Sequence, residues 1–393
     1  SALLFSFNGL RMGTTGLAAQ AYGRVDGGEL TALLVRALAL ACLLGVLLNL
    51  LRWPILAGVS LAFSPGEAVA APLHSYVGIR LIGAPAAMMQ MVLFGWLLGV
   101  QDARGPLYVV LISNLSNIAL DLLFVVGVGM GAAGVALATV LAEVTGLVFG
   151  LHRARRHMPP GWHQTCAAAD LLAMPALLRL VQVNGDIFLR SLCLQIGFVL
   201  FTAVGSRLGT LVVAANAVLL NFQTIAAYGL DGFAYATESR IGAAIGRRRA
   251  HAVHAAIGAG VQAAAWLALG LAGVFLLAGD LMIRTMTDID AVRNEAWRYW
   301  PYLVLSPIVS VWSFMLDGMF TGATATRAMR NSMVVSLLVF ALALAALVPP
   351  LDAHGLWLAF LIFMAARAAF LGFAYVRIEG RGGFIALGDE TAR

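Results

Sequence analysis

Lysine is absent from this 393-residue chain; all 25 of its basic residues are arginine. Charge of either sign is scarce as well, at 11% of residues against 61% apolar ones, and the mean hydropathy is +0.90. So little charge cannot cover the surface of a soluble globule, which makes the chain an integral membrane protein. Cysteine is limited to Cys42, Cys166 and Cys193, with no paired spacing, which excludes a disulfide framework and a thiolate metal site. There is no H-E-x-x-H, no G-x-S-x-G and no phosphate-binding lysine loop, so an intramembrane enzyme has little to work with. The net charge of +6 comes from loop arginines and does not describe a nucleic-acid surface.

What is present is a succession of apolar runs. Runs of about 20 residues, each long enough to cross the hydrocarbon layer as a helix, fall near 31–50, 78–100, 106–127, 132–151, 177–203, 212–238, 253–277, 300–322, 331–349 and 355–376. None alternates apolar and polar residues as a membrane strand would, so the class is all-α with ten complete spans. Arginines collect on alternate loops, at Arg24, Arg104, Arg153 to Arg156, Arg247 to Arg249, Arg327 and Arg330, and Arg377 and Arg381. By the positive-inside rule these loops and the C-terminus are expected to be cytoplasmic. Residues 51–77, with Pro54, Pro65 and Pro72, read as a connection on the opposite side.

The chain repeats itself. Phe7–Arg24 aligns with Leu230–Arg247 at an offset of 223 (246 − 23), and nearly the same offset pairs Pro85 with Pro307, Gly99 with Gly322, Arg104 with Arg327 and Gly134 with Gly355. Equivalent loops carry arginine in both halves, so the repeat is parallel in topology. The reading therefore divides the chain into an N-terminal lobe at 1–151, a linker at 152–174, a C-terminal six-helix lobe at 175–377 and a tail at 378–393. The second half begins near Ala176, and 176 − 223 is −47. The expectation is a twelve-helix plan of which the first helix and part of the second are missing before Ser1.

The residues that demand chemistry lie in Asn114-Leu-Ser-Asn-Ile-Ala-Leu-Asp121. On a helix Asn114, Asn117 and Asp121 stand at i, i+3 and i+7 and share a face. An ionisable residue at bilayer depth marks either a site or helix-to-helix glue, and both readings stand. Gly129-Met-Gly-Ala-Ala-Gly134 is formally G-x-G-x-x-G, but between two membrane spans it reads as a tight turn and not a dinucleotide site. Thr139, beyond that turn, is expected to point back at Asp121; with the two amides this forms a set of hard oxygens suited to Na⁺ or to a protonated carboxyl. Glu143 reads as a lone carboxylate. In the second half, Asp186 and Arg190 at i, i+4 are expected to neutralise one another. Asn216, Gln223, Asp231 and Glu238 follow at intervals of seven, eight and seven on one stripe, the two acids toward the water-accessible end. Met88, Met89 and Met91 read as packing or as a pliable wall.

Asn117-Ile-Ala-Leu-Asp121, Gly127-x-Gly-Met-Gly and Gly134-Val-Ala-Leu-Ala-Thr139 resemble the fifth and sixth helices of the MATE (multidrug and toxic compound extrusion) transporters. Phe7–Arg24, Asn184–Gln195, Ala214–Gln223 and Tyr228–Tyr235 resemble more narrowly the DNA-damage-inducible branch. The resemblance implies a V-shaped pair of six-helix lobes around a central cavity, exporting organic cations or other amphipathic compounds in exchange for H⁺ or Na⁺. In that family Asn117, Asp121 and Thr139 match a cation-coupling site shared with an aspartate on the first helix. Asn114, Asp186, Asn216, Gln223, Asp231 and Glu238 are the candidates for substrate contact or gating. The expectation is thus a monomer in the inner membrane with a small-molecule substrate, no cofactor beyond its coupling ion, no resident metal and no nucleic-acid partner. A lipid-linked precursor flippase of the same superfamily, favoured by a strongly cationic cavity, and a non-transporting remnant are the alternatives.

Overall fold

In a computed structural model the described residues are 9–63, 66–159, 161 and 171–390, and among them every regular element is a helix. The order is α1 (Gly9–Gly23), α2 (Gly27–Leu50), α3 (Arg52–Phe63), α4 (Glu67–Ile82), α5 (Ala84–Gly99) and α6 (Arg104–Asp121). A π-helical turn, Leu122–Gly127, leads into α7 (Gly131–Arg155). There follow α8 (Met174–Arg207), α9 (Thr210–Gly246), α10 (Ala250–Met286), α11 (Asp290–Gly322), α12 (Thr326–Glu379) and the short α13 (Gly383–Glu390). Among the described residues eight helices are long and apolar enough to span a membrane, and the bent pair α4 and α5, turned by 51° at Gly83, makes a ninth if taken as one span. α12 has 54 residues and breaks at Asp352, where φ is 50° and ψ −128°. A straight helix of that length would measure ~80 Å, far more than one crossing needs, so its two arms account for the two spans expected at 331–349 and 355–376. Residues 51–77, read as a connection, are largely helical where described, in α3 and the first half of α4; Pro65 lies outside the described residues. Pro54 stands in the first turn of α3, where no N–H is needed, and Pro72 is accommodated inside α4.

Contacts divide the chain into two compact units, Ser1–Asn184 and Gly185–Arg393, the division falling within α8. Most of the 160–170 stretch, with Cys166 and His163, lies outside the described residues, as do Phe7 and Asn8 at the start of the repeat. The C-terminal segment carries α13, whose Phe384 is buried against Phe320 and Tyr375.

Each unit has its own apolar core. In unit 1, α5 supplies Met88, Val92, Leu93, Trp96 and Leu97, all fully buried, and the Trp96 indole donates to the Leu30 carbonyl on α2 at 3.0 Å. Met88 and Met89 are therefore packing residues, whereas Met91 faces elsewhere. In unit 2, Phe201, Trp357 and Phe360 meet edge to face with centroids 5.3–5.9 Å apart.

The repeat reappears in the backbone. Among the described residues the non-glycine positions with positive φ are Val25, Gln101, Arg248, Thr324 and Asp352. Four of these form two pairs, Val25 with Arg248 and Gln101 with Thr324, each separated by 223. Their hydrogen bonds match as well: the Gln101 and Asp102 amides donate to Leu98 and Leu97, and those of Thr324 and Ala325 to Thr321 and Phe320. Helix contacts follow the same offset. A Cβ on Gly95 would lie 2.2 Å from the Arg11 carbonyl oxygen, and one on Gly318 2.6 Å from that of Ala234. Backbones approach this closely because lipid supplies no hydrophobic drive between helices, so small residues must create the contact area.

The loop before α6 is pinned by Asp102, which accepts from Arg153 Nε at 2.7 Å, Arg153 Nη2 at 3.1 Å, His157 Nε2 at 2.8 Å and the Gly105 amide at 3.0 Å. Burial opposes ionisation of this carboxyl, but the bonds from Arg153, His157 and Gly105 together outweigh it and hold its pKa at about 2.

Two outcomes are expected. Gly95→Ala and Gly318→Ala should each lower stability by about 1–3 kcal/mol, as overpacking against rigid backbone does. Gly58→Ala, where a Cβ meets nothing within 4 Å, should be neutral or stabilising; detergent thermal melts make the comparison. Because the folded Asp102 carboxyl titrates below a free one, its contribution, on the order of 2 kcal/mol, is present above about pH 4 and lost as pH falls toward 2. Acid unfolding of Asp102→Asn, set against the native chain, should show that part of the pH dependence gone.

Candidate functional site

Helices α1, α5, α6 and α7 line a half-open cavity of about 330 Å³ in unit 1. Helical spacing brings Ser113, Asn114 and Asn117 to it from α6, and Thr139 and Glu143 from α7. Gln90, Met91 and Phe94 come from α5 and Arg11 from α1, while Val109 and Val110 add apolar wall. The cavity thus joins amides and hydroxyls to a thioether and an aromatic ring, the mixture that holds an amphipathic small molecule. Asn117 donates to Thr139 Oγ1 at 3.5 Å, and Thr139 donates to the Val135 carbonyl at 2.8 Å. Thr139 therefore partners Asn117, not Asp121 as its position suggested. Gln90 donates to Ser113 Oγ at 2.6 Å, directly over Gly146, where a Cβ would come within 2.0 Å of that hydroxyl.

Asp121 ends α6 at the point where the backbone widens into the π turn, and it does not line the cavity. Its Oδ1 is buried and accepts no hydrogen bond among the described residues. A carboxylate oxygen left so is costly in a low-dielectric setting, and π turns concentrate at functional sites. The turn after it is built as expected: Gly129 and Gly131 take φ of 77° and 55°, a conformation that favours glycine.

Glu143 is not a lone carboxylate. Arg80, on α4, donates to both its oxygens at 2.8 and 2.9 Å. The sequence placed these two charges 63 residues apart in separate apolar runs, so neither was read as the other's partner. Arg36 is likewise paired: it is buried and donates to Glu29 at 3.1 Å and to the Leu171 carbonyl at 3.4 Å.

The expected pair of Asp186 and Arg190 does not form. Asp186 accepts from Arg330 at 2.6 Å and from Thr326 at 3.0 Å, both on α12. Arg190 donates to Asp317 on α11, which also accepts from Arg367 on α12 at 2.8 Å. Cross-helix partners win because they satisfy several buried groups at once, where an i, i+4 contact would satisfy one. The Arg190, Asp317 and Arg367 set is buried, and the charge of Asp231, half-buried on α9, also acts on Arg367. Asn216 accepts from the Trp357 indole at 2.9 Å, and Gln223 accepts from the Ser306 hydroxyl. Both are buried within unit 2. Glu238 is only 1% exposed, so the stripe on α9 faces packed protein and not the water that its position near the helix end suggested.

The MatE family profile matches residues 1–123 and 187–347. The chain belongs to the MatE family. Among similar curated proteins, DNA damage-inducible protein F of Escherichia coli K12 is 42% identical over 361 residues, 91% of this chain and 78% of that protein. Protein DETOXIFICATION 43 of Arabidopsis thaliana is 26% identical over 84% of this chain and 62% of its own length. In fold, a MOP superfamily transporter from Pyrococcus furiosus superposes with a TM-score of 0.85 at 20% identity, covering 96% of this chain and 85% of that one. A multidrug resistance MATE family transporter in an outward-facing conformation gives 0.87 at 21%, over the same shares.

As a MatE family chain it is a multi-pass membrane transporter, and its candidate residues separate by environment. Asn114, Asn117 and Thr139 meet at the cavity of unit 1, with Asp121 at the end of the same helix; Asp186, Asn216 and Gln223 are committed to contacts within unit 2. Sequence reading missed Arg11, Gln90 and Ser113 in the cavity wall, and Arg367 and Arg330 as carboxylate partners. The usable signal was electrical: an arginine and an acid in separate apolar runs both need a partner, and pairing them across helices satisfies both.

Removing the carboxylate shared in unit 2 takes an ion-pair partner from two buried arginines at once. Asp317→Asn is expected to destabilise the MatE chain by about 3–5 kcal/mol, the range for breaking a buried ion pair from one side. Asp280→Asn, which breaks the exposed pair with Arg284, should leave the detergent melting temperature nearly unchanged.

Proposed function

We propose that the protein is a secondary active antiporter that exports organic cations or other amphipathic compounds in exchange for H⁺ or Na⁺ by alternating access. The observation that carries this reading is Asp121, with its buried and unbonded Oδ1, at the end of the helix that presents Asn114 and Asn117 to an amphipathic cavity. An unsatisfied carboxylate gains most from a proton or a small cation, so loading it changes the relative free energies of two packings of the surrounding helices. Substrate moves against its gradient because the two facing states bind it with different affinity, and the coupling ion sets which state prevails. Asn117 and Thr139 are assigned to the same coupling site. The Arg-rich loops, the linker and the C-terminal segment are placed on the cytoplasmic side of the inner membrane, following the positive-inside rule. A flippase reading would need a strongly cationic cavity, and support for it is weak: Arg190 and Arg367 share the carboxylate of Asp317 and Arg36 that of Glu29, while one arginine, Arg11, lines the cavity.

Inverted vesicles carrying the chain should move ethidium when a pH gradient or a Na⁺ gradient is imposed, and the gradient that works names the ion. Asp121→Asn should reduce that movement by at least about tenfold, the loss of roughly 1.4 kcal/mol of coupling, with the protein still inserted and folded. Movement unchanged in Asp121→Asn would remove the coupling role from this residue.

A further inference from the structure

Glu143 is the one acid in the cavity wall, and both of its oxygens are held by a guanidinium that does not itself line the cavity. Arg80 reaches it from α4, three residues before Gly83, where the chain turns by 51° into α5. Gly83 packs on the same helix as the ion pair: a Cβ there would lie 2.5 Å from Val140, one turn before Glu143. So Arg80 with Glu143, and Gly83 with Val140, are successive contacts of one antiparallel seam between α4 and α7. The two sides of the break differ in anchorage. Beyond Gly83, α5 buries six side chains completely, whereas among its described residues α4 buries only Leu81. Elements with few buried side chains are those that open at low cost, and the ion pair adds a charged fastening to the apolar seam between α4 and α7.

A cation entering the cavity meets Glu143 as the acidic group of the wall, and it meets Arg80 as a competitor for the same oxygens. Replacing one cation by another keeps the partly buried carboxylate paired throughout, and so avoids much of the cost of leaving a desolvated charge alone. Displacement of Arg80 frees α4 from α7 at the seam while Gly83 still holds the end of the broken helix.

We propose that the Arg80–Glu143 pair is a substrate-operated clasp: Glu143 is the receptor for the positive group of an organic cation, and Arg80 is the internal occupant that the cation must displace. This deepens the export reading and rests on it for the choice of a cationic substrate. Glu143 is thereby a binding residue, and Arg80 a positioning residue that reports occupancy to α4.

The test is equilibrium binding of ethidium to the purified full chain in nanodiscs, with no gradient, alongside the distance between spin labels at Ser75→Cys on α4 and Val148→Cys on α7 in a chain otherwise free of cysteine. Arg80→Gln should bind ethidium about tenfold more tightly, because the competitor is gone, and Glu143→Gln about tenfold more weakly, with the double variant following Glu143→Gln. Arg80→Lys, which keeps the charge and gives up the paired hydrogen bonds, should tighten binding by about threefold and serves if Arg80→Gln does not fold. Ethidium should lengthen the label distance in the native pair, and Arg80→Gln should lengthen it without ethidium. If both single variants weaken binding alike, if no chain binds ethidium, or if binding leaves the label distance unchanged, the clasp is overturned. Binding that shifts in opposite directions as stated, without gradient-driven movement in vesicles, would uphold the clasp and sink the export reading.

Discussion

Charge inside a helical bundle must be answered by opposite charge, here mostly from another helix, and this constraint decides which helices pair. Lipid tails are as apolar as the side chains that face them, so apolar residues tell a helix to enter the membrane without saying which neighbour to choose. Arginine and carboxylate pairs supply that information. Arg80 with Glu143 joins α4 to α7, Arg330 with Asp186 joins α12 to α8, and Asp317 joins α11 to both α8 and α12 by accepting from Arg190 and Arg367. Glycine then sets how near the chosen neighbours come, as at Gly95 and Gly318, whose missing side chains admit a facing carbonyl.

The fold was largely legible because its signals are local. Apolar run length announces a spanning helix, and an offset of 223 announces the repeat, which the structure returns in the left-handed residues Val25 and Arg248 and again in Gln101 and Thr324. The connection at 51–77 left its helices unread, because Pro54 sits in a first turn and Pro72 is absorbed in α4. The break at Asp352 falls in the gap between the spans read at 331–349 and 355–376, beside Pro349 and Pro350, while the residue that carries it is set by what packs around it.

The site was legible in part, and the boundary follows the range of the interactions. Asn114 and Asn117 share a face because both belong to one helix, so spacing alone brought them together. The partner of Thr139 was misjudged because the π turn alters where Asp121 stands with respect to the helix that follows. The ion pair of Asp186 escaped because the nearer candidate along the chain, Arg190, was preferred to a remote one, and that of Glu143 because Arg80 lies 63 residues away in another apolar run. A bundle in a low-dielectric medium reverses that preference, rewarding whichever arrangement satisfies the most buried groups together.

Phe94 and Asp317 occupy equivalent positions of the repeat, 223 apart. The first is an aromatic wall of the cavity, and the second is the anion that binds two guanidinium groups. One backbone site has thus been put to opposite uses, reception in one copy and cohesion in the other. A duplicated scaffold released each half from the obligations of its twin: the glycines that set helix spacing remained common property, while side chains between them were free to specialise. For anyone diversifying this protein, the two halves are therefore unequal ground. Residues around Phe94 form a surface on which new specificities can be selected, whereas their counterparts around Asp317 form a keystone whose alteration would collapse the arch before any specificity could be tried.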